Sequence, residues 1–290
     1  MAKQLKTVVI FGGARSEHDV SVVSAHQLMD AVDVRKIEVL PVYTDFANRF
    51  WMGASLRDIA TYRPRPPLGQ QVTFRWGDNG PMICAIDGTP IETVDCELPV
   101  FHGTFGEDGR IQAYFELLGI PVTGLSASST SIAMRKDVTK ALVKAAGVNV
   151  LPHVTVDHER VHRPDEVIAE VKEQFGFPVI VKPANLGSGV GVGLGKSDFR
   201  EKYLSADGGT KGSFKPSEGM LSLTRDINPD IPDEIKARIY DYAAKTFTAL
   251  GKRGAPRIDF MCNTETGELW FNEINAIPGS YGFFLWEAAA

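Results

Sequence analysis

The feature that most constrains the fold is a pair of apolar-rich segments near the end of the chain, residues 257–261 and 268–275. A short polar stretch, residues 263–267, separates them and contains asparagine and glycine. Two apolar segments joined by such a turn predict a β-hairpin. The hairpin would bring three side chains with oxygen donors and one arginine to a single edge: Asp259, Glu273, Asn275 and Arg257.

This edge has the ligand chemistry of a magnesium site. Hard divalent cations bind carboxylate and amide oxygens, and Mg2+ commonly takes one or two carboxylates and leaves its other positions to water and substrate phosphates. We therefore predict that Asp259, Glu273 and Asn275 bind metal. The alternative is an ordinary hairpin whose polar residues face solvent.

A second informative segment lies earlier in the chain. An apolar strand at residues 177–181 ends at Lys182 and is followed by a loop with three glycines, among them Gly187 and Gly189. A lysine at a strand end can meet phosphate as a point charge, and glycines let backbone N–H groups approach an anion. Such a loop alone is more often a mobile turn, but beside a metal site it indicates nucleotide phosphates.

The composition excludes several classes of function. With 290 residues, 43% of them hydrophobic, the chain can bury sizeable cores and is expected to form two or three domains. A net charge of -5 without basic runs argues against nucleic-acid and membrane partners, so small molecules are the expected partners. Three scattered cysteines and an N-terminus that lacks a signal-like apolar segment predict a cytoplasmic protein.

Residues 1–125 are predicted to form an α/β unit, with a buried first strand, a helix after Ser21 and a helix at residues 111–119 that stops on glycine. Ligands of open α/β sheets bind beyond the carboxyl ends of the strands, and this places Glu17 and His102 at a common rim. The alternatives are that Glu17 is a helix-start carboxylate and His102 a turn histidine with satisfied hydrogen bonds.

Residues 126–195 are predicted to form a second unit and residues 196–290 a third. Helices are expected at residues 137–147 and 233–250, where apolar side chains recur at helical spacing. Three lysines lie one helical turn apart at the start of the second unit, a spacing typical of a solvated basic face. They are Lys136, Lys140 and Lys144.

A series of short motifs runs along nearly the whole chain. They occupy residues 8–13, 16–21, 102–109 with Gln112, 134–136, 181–183, 201–203, 272–275 and 278–280. In order and number they resemble the D-alanine:D-alanine ligases of the ATP-grasp superfamily. The resemblance implies an α/β fold class: an N-terminal doubly wound α/β domain, followed by an ATP-grasp fold that is α+β in its nucleotide-binding part. Residues 126–195 would be the small ATP-grasp subdomain and residues 196–290 the large one with the metal site.

The resemblance implies an enzyme that joins two D-alanines to D-alanyl-D-alanine for peptidoglycan precursors. The first D-alanine carboxylate attacks the γ-phosphate of ATP to give an acyl phosphate, and the amine of the second D-alanine then displaces phosphate. Such chemistry depends on positioning and charge neutralisation, which suits a motif set of carboxylates, lysines and glycines. ATP and two Mg2+ ions, with Mn2+ as an alternative, are the implied cofactors, and a homodimer is the implied assembly.

Each matching residue receives a role from the resemblance. The catalytic residues are Glu17, Ser188, Arg257 and Gly279. The substrate-binding residues are His102, Tyr203 and Ser280. The nucleotide-binding residues are Lys136, Lys182, Lys202, Gly187 and Gly189, and the metal ligands are Asp259, Glu273 and Asn275. Among the lysines of the basic row only Lys136 matches a phosphate-binding position, so Lys140 and Lys144 keep the interpretation of a solvated face.

The chain departs from the family in two places. Only two residues separate Lys196 from Phe199, where relatives carry several strands and the segment that holds the adenine ring. Either the chain lacks this clamp or the sequence omits a stretch. Beyond the Pro-Gly pair, residues 280–284 lack the serine that many relatives use for the second substrate. The acceptor could therefore be D-alanine, D-serine or D-lactate, and a catalytically weak binding protein without the adenine clamp is a further alternative.

Overall fold

The computed structural model describes residues 3–14, 17–62, 69–185, 193–195 and 229–282. Within these ranges the first third of the chain forms one seven-stranded sheet. Its strands are β1 (Leu5–Gly12), β2 (Ile37–Thr44), β3 (Phe50–Met52), β4 (Gln70–Gly77), β5 (Gly80–Ala85), β6 (Pro90–Thr93) and β7 (Cys96–Val100). In space they are ordered β6-β5-β4-β3-β2-β1-β7, so the first strand lies between the second and the seventh.

The parallel part of this sheet positions the ligand-binding rim. β1 pairs in parallel with β2 and with β7, and from Thr7 onward nearly all of its residues are buried. A parallel strand that is covered on both faces needs apolar side chains at successive positions, and the apolar run of β1 supplies them. The three strands end together at Gly12, Thr44 and Val100.

Four antiparallel strands extend the sheet beyond β2, and the sequence did not predict them. β3 and β6 are short, and the longer β4 has its buried residues at alternate positions, as expected for a strand covered on one face. β4 and β5 are joined by a tight turn in which Gly80 has a φ of +108°. The turn is specified by residues next to one another in sequence. The sheet edge to which this hairpin adds depends instead on pairing between distant strands.

Helices cover both faces of the parallel part. α1 (His18–Ala31) packs with β1 on one face, and α2 (Arg110–Leu117) borders the apolar cluster on the other. α1 begins three residues before Ser21, so the predicted start was wrong. The reason is that the Ser21 hydroxyl accepts the Gly12 N–H at 2.8 Å inside the first turn. The predicted glycine stop after α2 is confirmed, since Gly119 has a φ of +65°.

The remainder of the described chain contains four helices and two further two-stranded sheets, one of which is the C-terminal hairpin. Its helices are α3 (Ala127–Met134), α4 (Lys136–Ala145), α5 (Pro164–Gln174) and α6 (Asp233–Ala249), and its strands are β8 (Val179–Val181), β9 (Gly193–Gly195), β10 (Arg257–Cys262) and β11 (Leu269–Asn275). The predicted hairpin and both predicted helices are present. A third apolar cluster joins the hairpin to α3 and α4. Across the described ranges, no helix has the length and apolarity to cross a membrane.

Candidate active site

The hairpin aligns the predicted metal ligands by its register. β10 and β11 pair in an antiparallel arrangement, with Asp259 opposite Glu273 and Arg257 opposite Asn275. The Asn275 Nδ2 donates a hydrogen bond to Asp259 Oδ2 at 3.2 Å. Residues opposite one another on a strand pair share a face of the sheet, so the pairing brings these side chains together.

A β-bulge in β11 adds Asn272 to this face. Phe260 pairs with Phe271 while Asp259 pairs with Glu273, so Asn272 has no partner residue across the hairpin. Phe271 and Ile274 are both buried despite their odd spacing, because the extra residue shifts the alternation of the strand. Asn272 and Glu273 therefore both lie outside the core. We call the resulting set the charged face: Arg257, Asp259, Asn272, Glu273 and Asn275.

Charges on this face are already paired with one another. Arg257 donates two hydrogen bonds to Asp259, from Nε to Oδ1 at 2.8 Å and from Nη2 to Oδ2 at 3.0 Å. The hydrogen bond to Asp259 raises the pKa of Arg257, against the opposing effect of burial. Such a fork leaves the arginine fixed in direction, with its charge-assisted bonds directed at one carboxylate.

The donor set of the charged face fits a hard divalent cation that also binds substrate. Asp259 and Glu273 offer carboxylate oxygens and Asn275 an amide oxygen, the ligands that Mg2+ prefers. Among the described residues no group of three or more histidine, cysteine or acidic side chains is placed to hold a metal by itself. Any ion here would therefore need oxygens from substrate and water to complete its coordination.

Two lysines lie beside the charged face, one at the start of α4 and one directly after β8. Lys136 Nζ lies 3.9 Å from Glu273 Oε2, and Lys182 Nζ donates to Asn272 Oδ1 at 3.1 Å. Burial lowers the pKa of Lys136, and Lys182 lowers it further, while Glu273 acts in the opposite direction. Cations gathered beside so few carboxylates make this a suitable place for an anionic ligand.

Lys140 corrects the interpretation of the lysine row. Lys144 is exposed as predicted, but Lys140 is partly buried and its charge acts on the same surroundings as Lys136. Burial lowers the pKa of Lys140, and the charges of Lys182 and Lys136 lower it further. The solvated-face interpretation was therefore wrong for Lys140, because this side chain is partly buried and lies within reach of the charges of Lys182 and Lys136. The Lys136 N–H donates to the Ala184 carbonyl at 2.8 Å and ties the loop there.

At the carboxyl ends of β1 and β7 lie three further polar side chains, which we call the substrate rim: Glu17, His102 and Glu107. The Glu17 carboxylate rests on Gly103, where an added Cβ would lie 2.0 Å from Glu17 Oε2. Glu17 Oε1 is buried and has no hydrogen-bond partner among the described residues. A buried carboxylate oxygen that is not satisfied by the protein is available to a ligand with a positive charge.

His102 is held as a neutral ring. Burial lowers its pKa to about 4, although a hydrogen bond to the backbone of Ile277 acts in the opposite direction. The ring nitrogen Nε2 lies 3.1 Å from Ser24 Oγ and shares a hydrogen bond with that hydroxyl, in which the donor depends on the tautomer of the ring. The histidine is therefore fixed between α1 and the segment that follows the hairpin.

Glu107 is the residue of the substrate rim that the sequence did not single out. Burial raises its pKa to about 7, a hydrogen bond from the Gly103 N–H lowers it, and the charge of Glu17 raises it again. Glu107 Oε2 accepts the Gly103 N–H at 2.8 Å. The Ile277 backbone and the charge of Arg257 on the charged face both lower the pKa of Glu107.

One pocket joins the two groups. Its lining includes Glu107 from the substrate rim, Lys136 from α4, and Glu273 and Asn275 from the charged face. Gly279 lies just beyond Ile277, at the start of a short helical turn, Gly279–Gly282. The remaining predicted site residues, Gly187, Ser188, Gly189, Lys202 and Tyr203, lie outside the described residues, and of Ser280 only the backbone is described.

Comparison with known proteins identifies the family. The model described as D-ala D-ala ligase N-terminus matches residues 6–125, and that of the D-ala D-ala ligase C-terminus matches residues 142–205 and 218–288. D-alanine--D-alanine ligase of Heliobacterium modesticaldum is 31% identical, over 97% of this chain and 89% of that protein. D-alanine--D-alanine ligase A of Escherichia coli K12 is 29% identical, over 99% and 92%.

The chain is shorter than this last relative inside the aligned region. The alignment runs over 343 positions, 53 more than the 290 residues of the chain, so at least 53 positions of the relative face gaps. An internal shortening agrees with the short join predicted between Lys196 and Phe199. The join itself lies outside the described residues.

Solved structures share the fold. The D-alanine-D-alanine ligase from Coxiella burnetii superimposes with a TM-score of 0.77 at 22% identity, covering 98% of this chain and 90% of that one. The VanG D-Ala:D-Ser ligase from Enterococcus faecalis gives 0.73 at 23% identity, covering 96% and 92%. The predicted fold class is thus confirmed, and the chain belongs to the D-alanine–D-alanine ligase family.

Proposed function

We propose that this protein joins two D-alanines to D-alanyl-D-alanine with ATP, as a step in peptidoglycan precursor synthesis. The observation that carries the proposal is the pocket in which Glu107 of the substrate rim, Lys136 of α4, and Glu273 and Asn275 of the charged face meet. Each component suits one part of the reaction: an amino acid, a polyphosphate and a divalent metal. The family membership of the whole chain supports the same activity.

The first step transfers a phosphoryl group. An oxygen of the first D-alanine carboxylate bonds to the γ-phosphorus of ATP, the bond to the β-phosphate oxygen breaks, and ADP leaves an acyl phosphate behind. Lys136 and Lys182 neutralise phosphate oxygens, and Lys140 adds charge from the next turn of α4. Positioning and charge neutralisation are the main demands of this chemistry, and no protein nucleophile is needed.

Asp259, Glu273 and Asn275 would hold the metal ions, for which we propose two Mg2+, with Mn2+ as a substitute. A bound divalent ion neutralises the phosphate oxygens that face it. The two carboxylates are already held in position. Arg257 and Asn275 donate hydrogen bonds to Asp259, and Lys136 lies beside Glu273. Lys202, with Gly187 and Gly189, would contact the nucleotide from outside the described residues.

The substrate rim would bind the first D-alanine. We assign its ammonium group to the Glu17 carboxylate, one oxygen of which has no hydrogen-bond partner within the described part of the chain. His102, neutral and fixed by Ser24 and Ile277, would contact the substrate with its ring. Glu107 accepts the backbone N–H of Gly103 and so would hold the loop that carries the rim in place.

The second step forms the peptide bond. The free amine of the second D-alanine attacks the acyl carbon, a tetrahedral oxyanion forms, and its collapse expels inorganic phosphate while the amine loses a proton. Arg257 and the backbone N–H of Gly279 would stabilise the oxyanion, as preorganised donors do in acyl transfer. Ser188, Tyr203 and Ser280 complete the proposed substrate pocket.

Three further features belong to the same proposal: a homodimeric assembly, a cytoplasmic location, and division of the chain into domains at residues 1–125, 126–195 and 196–290. Each proposed domain would carry one part of the site: the first the substrate rim, the second the lysines and the third the charged face. Size-exclusion chromatography with light scattering tests the dimer, and limited proteolysis tests the boundaries near residues 125 and 195.

The direct test combines purified protein with ATP, Mg2+ and D-alanine. We expect phosphate release that depends on D-alanine, with D-alanyl-D-alanine as the product by mass spectrometry. D-Serine and D-lactate are offered as acceptors, because residues 280–284 differ from the serine-containing pattern of many relatives. If D-alanine is joined to D-serine or D-lactate and no D-alanyl-D-alanine forms, the proposed acceptor is wrong. The absence of any product would favour a binding protein.

Nucleotide selectivity tests the short join. A chain without the adenine clamp should grip phosphates but discriminate little between ATP and GTP, because phosphates cannot select a base. Titration calorimetry is done on protein whose intact mass equals that of the 290 residues. A micromolar affinity selective for adenine would show that another part of the chain supplies the clamp, and a larger mass would show that the sequence omits a stretch.

A further inference from the structure

The segment that carries Gly279 is attached to the first sheet at several points. The Ile277 backbone lies close enough to His102 and Glu107 to shift the pKa of both side chains. The segment then turns at Gly279–Gly282, where the Tyr281 N–H donates to the Pro278 carbonyl at 2.7 Å. These contacts place Gly279, the proposed oxyanion donor, next to the substrate rim. Tyr281 is the residue whose N–H closes the turn.

Tyr281 adopts a conformation that a side chain seldom takes without support. Its φ is +53°, in the left-handed region that favours glycine. The ring packs against two apolar clusters, the one under α1 and the one under the hairpin. A residue in this conformation persists only when its surroundings hold it there, so the packing and the hydroxyl contact together fix the turn.

The hydroxyl of Tyr281 reaches the strand that leads to the substrate rim. It donates to the Pro99 carbonyl of β7 at 2.5 Å, three residues before His102. Along the same edge of β7, the Glu97 carbonyl accepts the Thr123 N–H at 2.9 Å. Burial raises the pKa of Tyr281 well above its usual range, so the hydroxyl keeps its proton and continues to donate. The turn is thus bonded to β7 itself.

We propose that Tyr281 is a positioning residue that fixes the Gly279 N–H relative to β7 through its bond to Pro99. This inference rests on the proposed function, because it is there that Gly279 receives the task of stabilising the oxyanion. His102 and Gly279 are then both held at the carboxyl end of β7, and the Gly279 N–H is in place before the oxyanion forms. Removing the hydroxyl would leave the Pro99 carbonyl without this donor and free the turn to relax.

The predicted effect falls on one step. An oxyanion donor acts in the transition state of peptide-bond formation, so its displacement lowers kcat without weakening the binding of ATP or of the first D-alanine. Formation of the acyl phosphate precedes the oxyanion and should be unaffected. This separation distinguishes positioning from a general loss of structure, which would impair both steps together.

The test is Tyr281→Phe, which keeps the ring and removes the hydroxyl. We expect kcat for D-alanyl-D-alanine formation to fall by about tenfold, less than the loss of a whole oxyanion donor. The Michaelis constants for ATP and the first D-alanine, and D-alanine-dependent positional isotope exchange in ATP, should stay within about twofold. The matched control is Tyr62→Phe, another buried tyrosine whose hydroxyl donates to a backbone carbonyl, that of Leu56 at 3.2 Å.

Hydrogen–deuterium exchange supplies a readout that does not need ligase activity. In Tyr281→Phe the amides of residues 276–282 should exchange faster than in the unmodified protein, while Tyr62→Phe leaves them unchanged. Unchanged kcat, equal losses in both reaction steps, or unchanged exchange at these amides would each overturn the positioning role. If the unmodified protein makes no dipeptide, the proposed function fails, and faster exchange still reports on the bond to Pro99.

Discussion

The substrate rim and the charged face meet in one pocket but are built on opposite principles. At the substrate rim, Glu107 and His102 are buried and held by backbone groups and neutral hydroxyls. On the charged face, Arg257, Asp259 and Glu273 keep partial exposure and pair with each other or with lysine. The first group is fixed by burial within the fold, whereas the second is a set of partly exposed charges that pair with one another and with Lys136.

The difference indicates what each group binds. A small zwitterion such as an amino acid must be bound in one orientation. Buried side chains with few accessible rotamers are suited to fixing that orientation. A metal–polyphosphate ligand carries enough charge to reorganise exposed ion pairs, each of which is worth little on its own. Substitutions in the charged face should therefore affect turnover, and substitutions in the substrate rim should affect the binding of one substrate.

The largest effect is expected for Glu273→Gln, which removes a metal ligand. Turnover should fall on the order of a thousandfold or more, because charge stabilisation in the transition state is lost. The thermal midpoint should stay near that of the unmodified protein, since Glu273 is only partly buried. The rate is measured at saturating Mg2+ by ADP release. Glu268→Gln, exposed in the same hairpin, is the control, and near-normal turnover of Glu273→Gln would remove the metal assignment.

Glu17→Gln comes next, as a test of the substrate rim. The Michaelis constant for the first D-alanine should rise by about ten- to a hundredfold, because a charge-assisted hydrogen bond to the substrate ammonium is lost. The constant for ATP should change much less. Glu234→Gln removes a carboxylate from the first turn of α6 and controls for helix-start effects. Equal weakening of ATP and D-alanine binding would assign Glu17 to the helix instead.

The burial behind the substrate rim can be tested through Glu97. Both of its carboxyl oxygens are buried without a hydrogen-bond partner in the described ranges, and burial raises its pKa well above the usual value. Because the folded-state pKa is raised, the carboxyl favours folding below its unfolded pKa, near 4.3, and this stability is lost as pH rises towards the folded pKa.

We therefore expect Glu97→Gln to gain stability over the unmodified protein as pH increases, by about 1 kcal/mol for each pH unit. Urea unfolding at pH 5.5 and pH 7.5 measures the difference in free energy. The control is Glu173→Gln on the exposed side of α5, which should show no such trend. A constant difference between the two pH values would mean that the pKa of Glu97 is not raised in the folded protein.

The smallest expected effect separates the two lysines that follow Lys136 on α4. Lys140→Met should raise the Michaelis constant for ATP by about three- to tenfold, because a partly buried charge next to Lys182 is lost. Lys144→Met should leave it unchanged, since that lysine is exposed. Initial rates at two salt concentrations check this, and equal effects of both substitutions would return Lys140 to a solvated face.

Much of the framework follows from local sequence. The hairpin forms where two apolar segments flank a short turn, and α4 and α6 form where apolar residues recur at helical spacing. These elements are specified by neighbours along the chain. The motifs likewise identified Asp259, Glu273 and Asn275 as a set, and the register of the hairpin places them together.

Other features depend on contacts between distant residues. The antiparallel extension β3 to β6 is set by which sheet edge is open, and the bulge at Asn272 is set by the packing of Phe271 and Ile274. No periodicity along the chain carries that information, because a single extra residue in one strand changes which side chains face the core.

The sequence by itself therefore determined the types of chemical group, their order and the secondary structure that carries them. Only the tertiary structure decided which of them are buried and paired. Glu107 and Lys140 became parts of the site because elements far apart in sequence removed them from water, and Tyr281 because its hydroxyl meets Pro99. Burial and charge pairing are properties of the packed chain, since they depend on which distant segments exclude solvent.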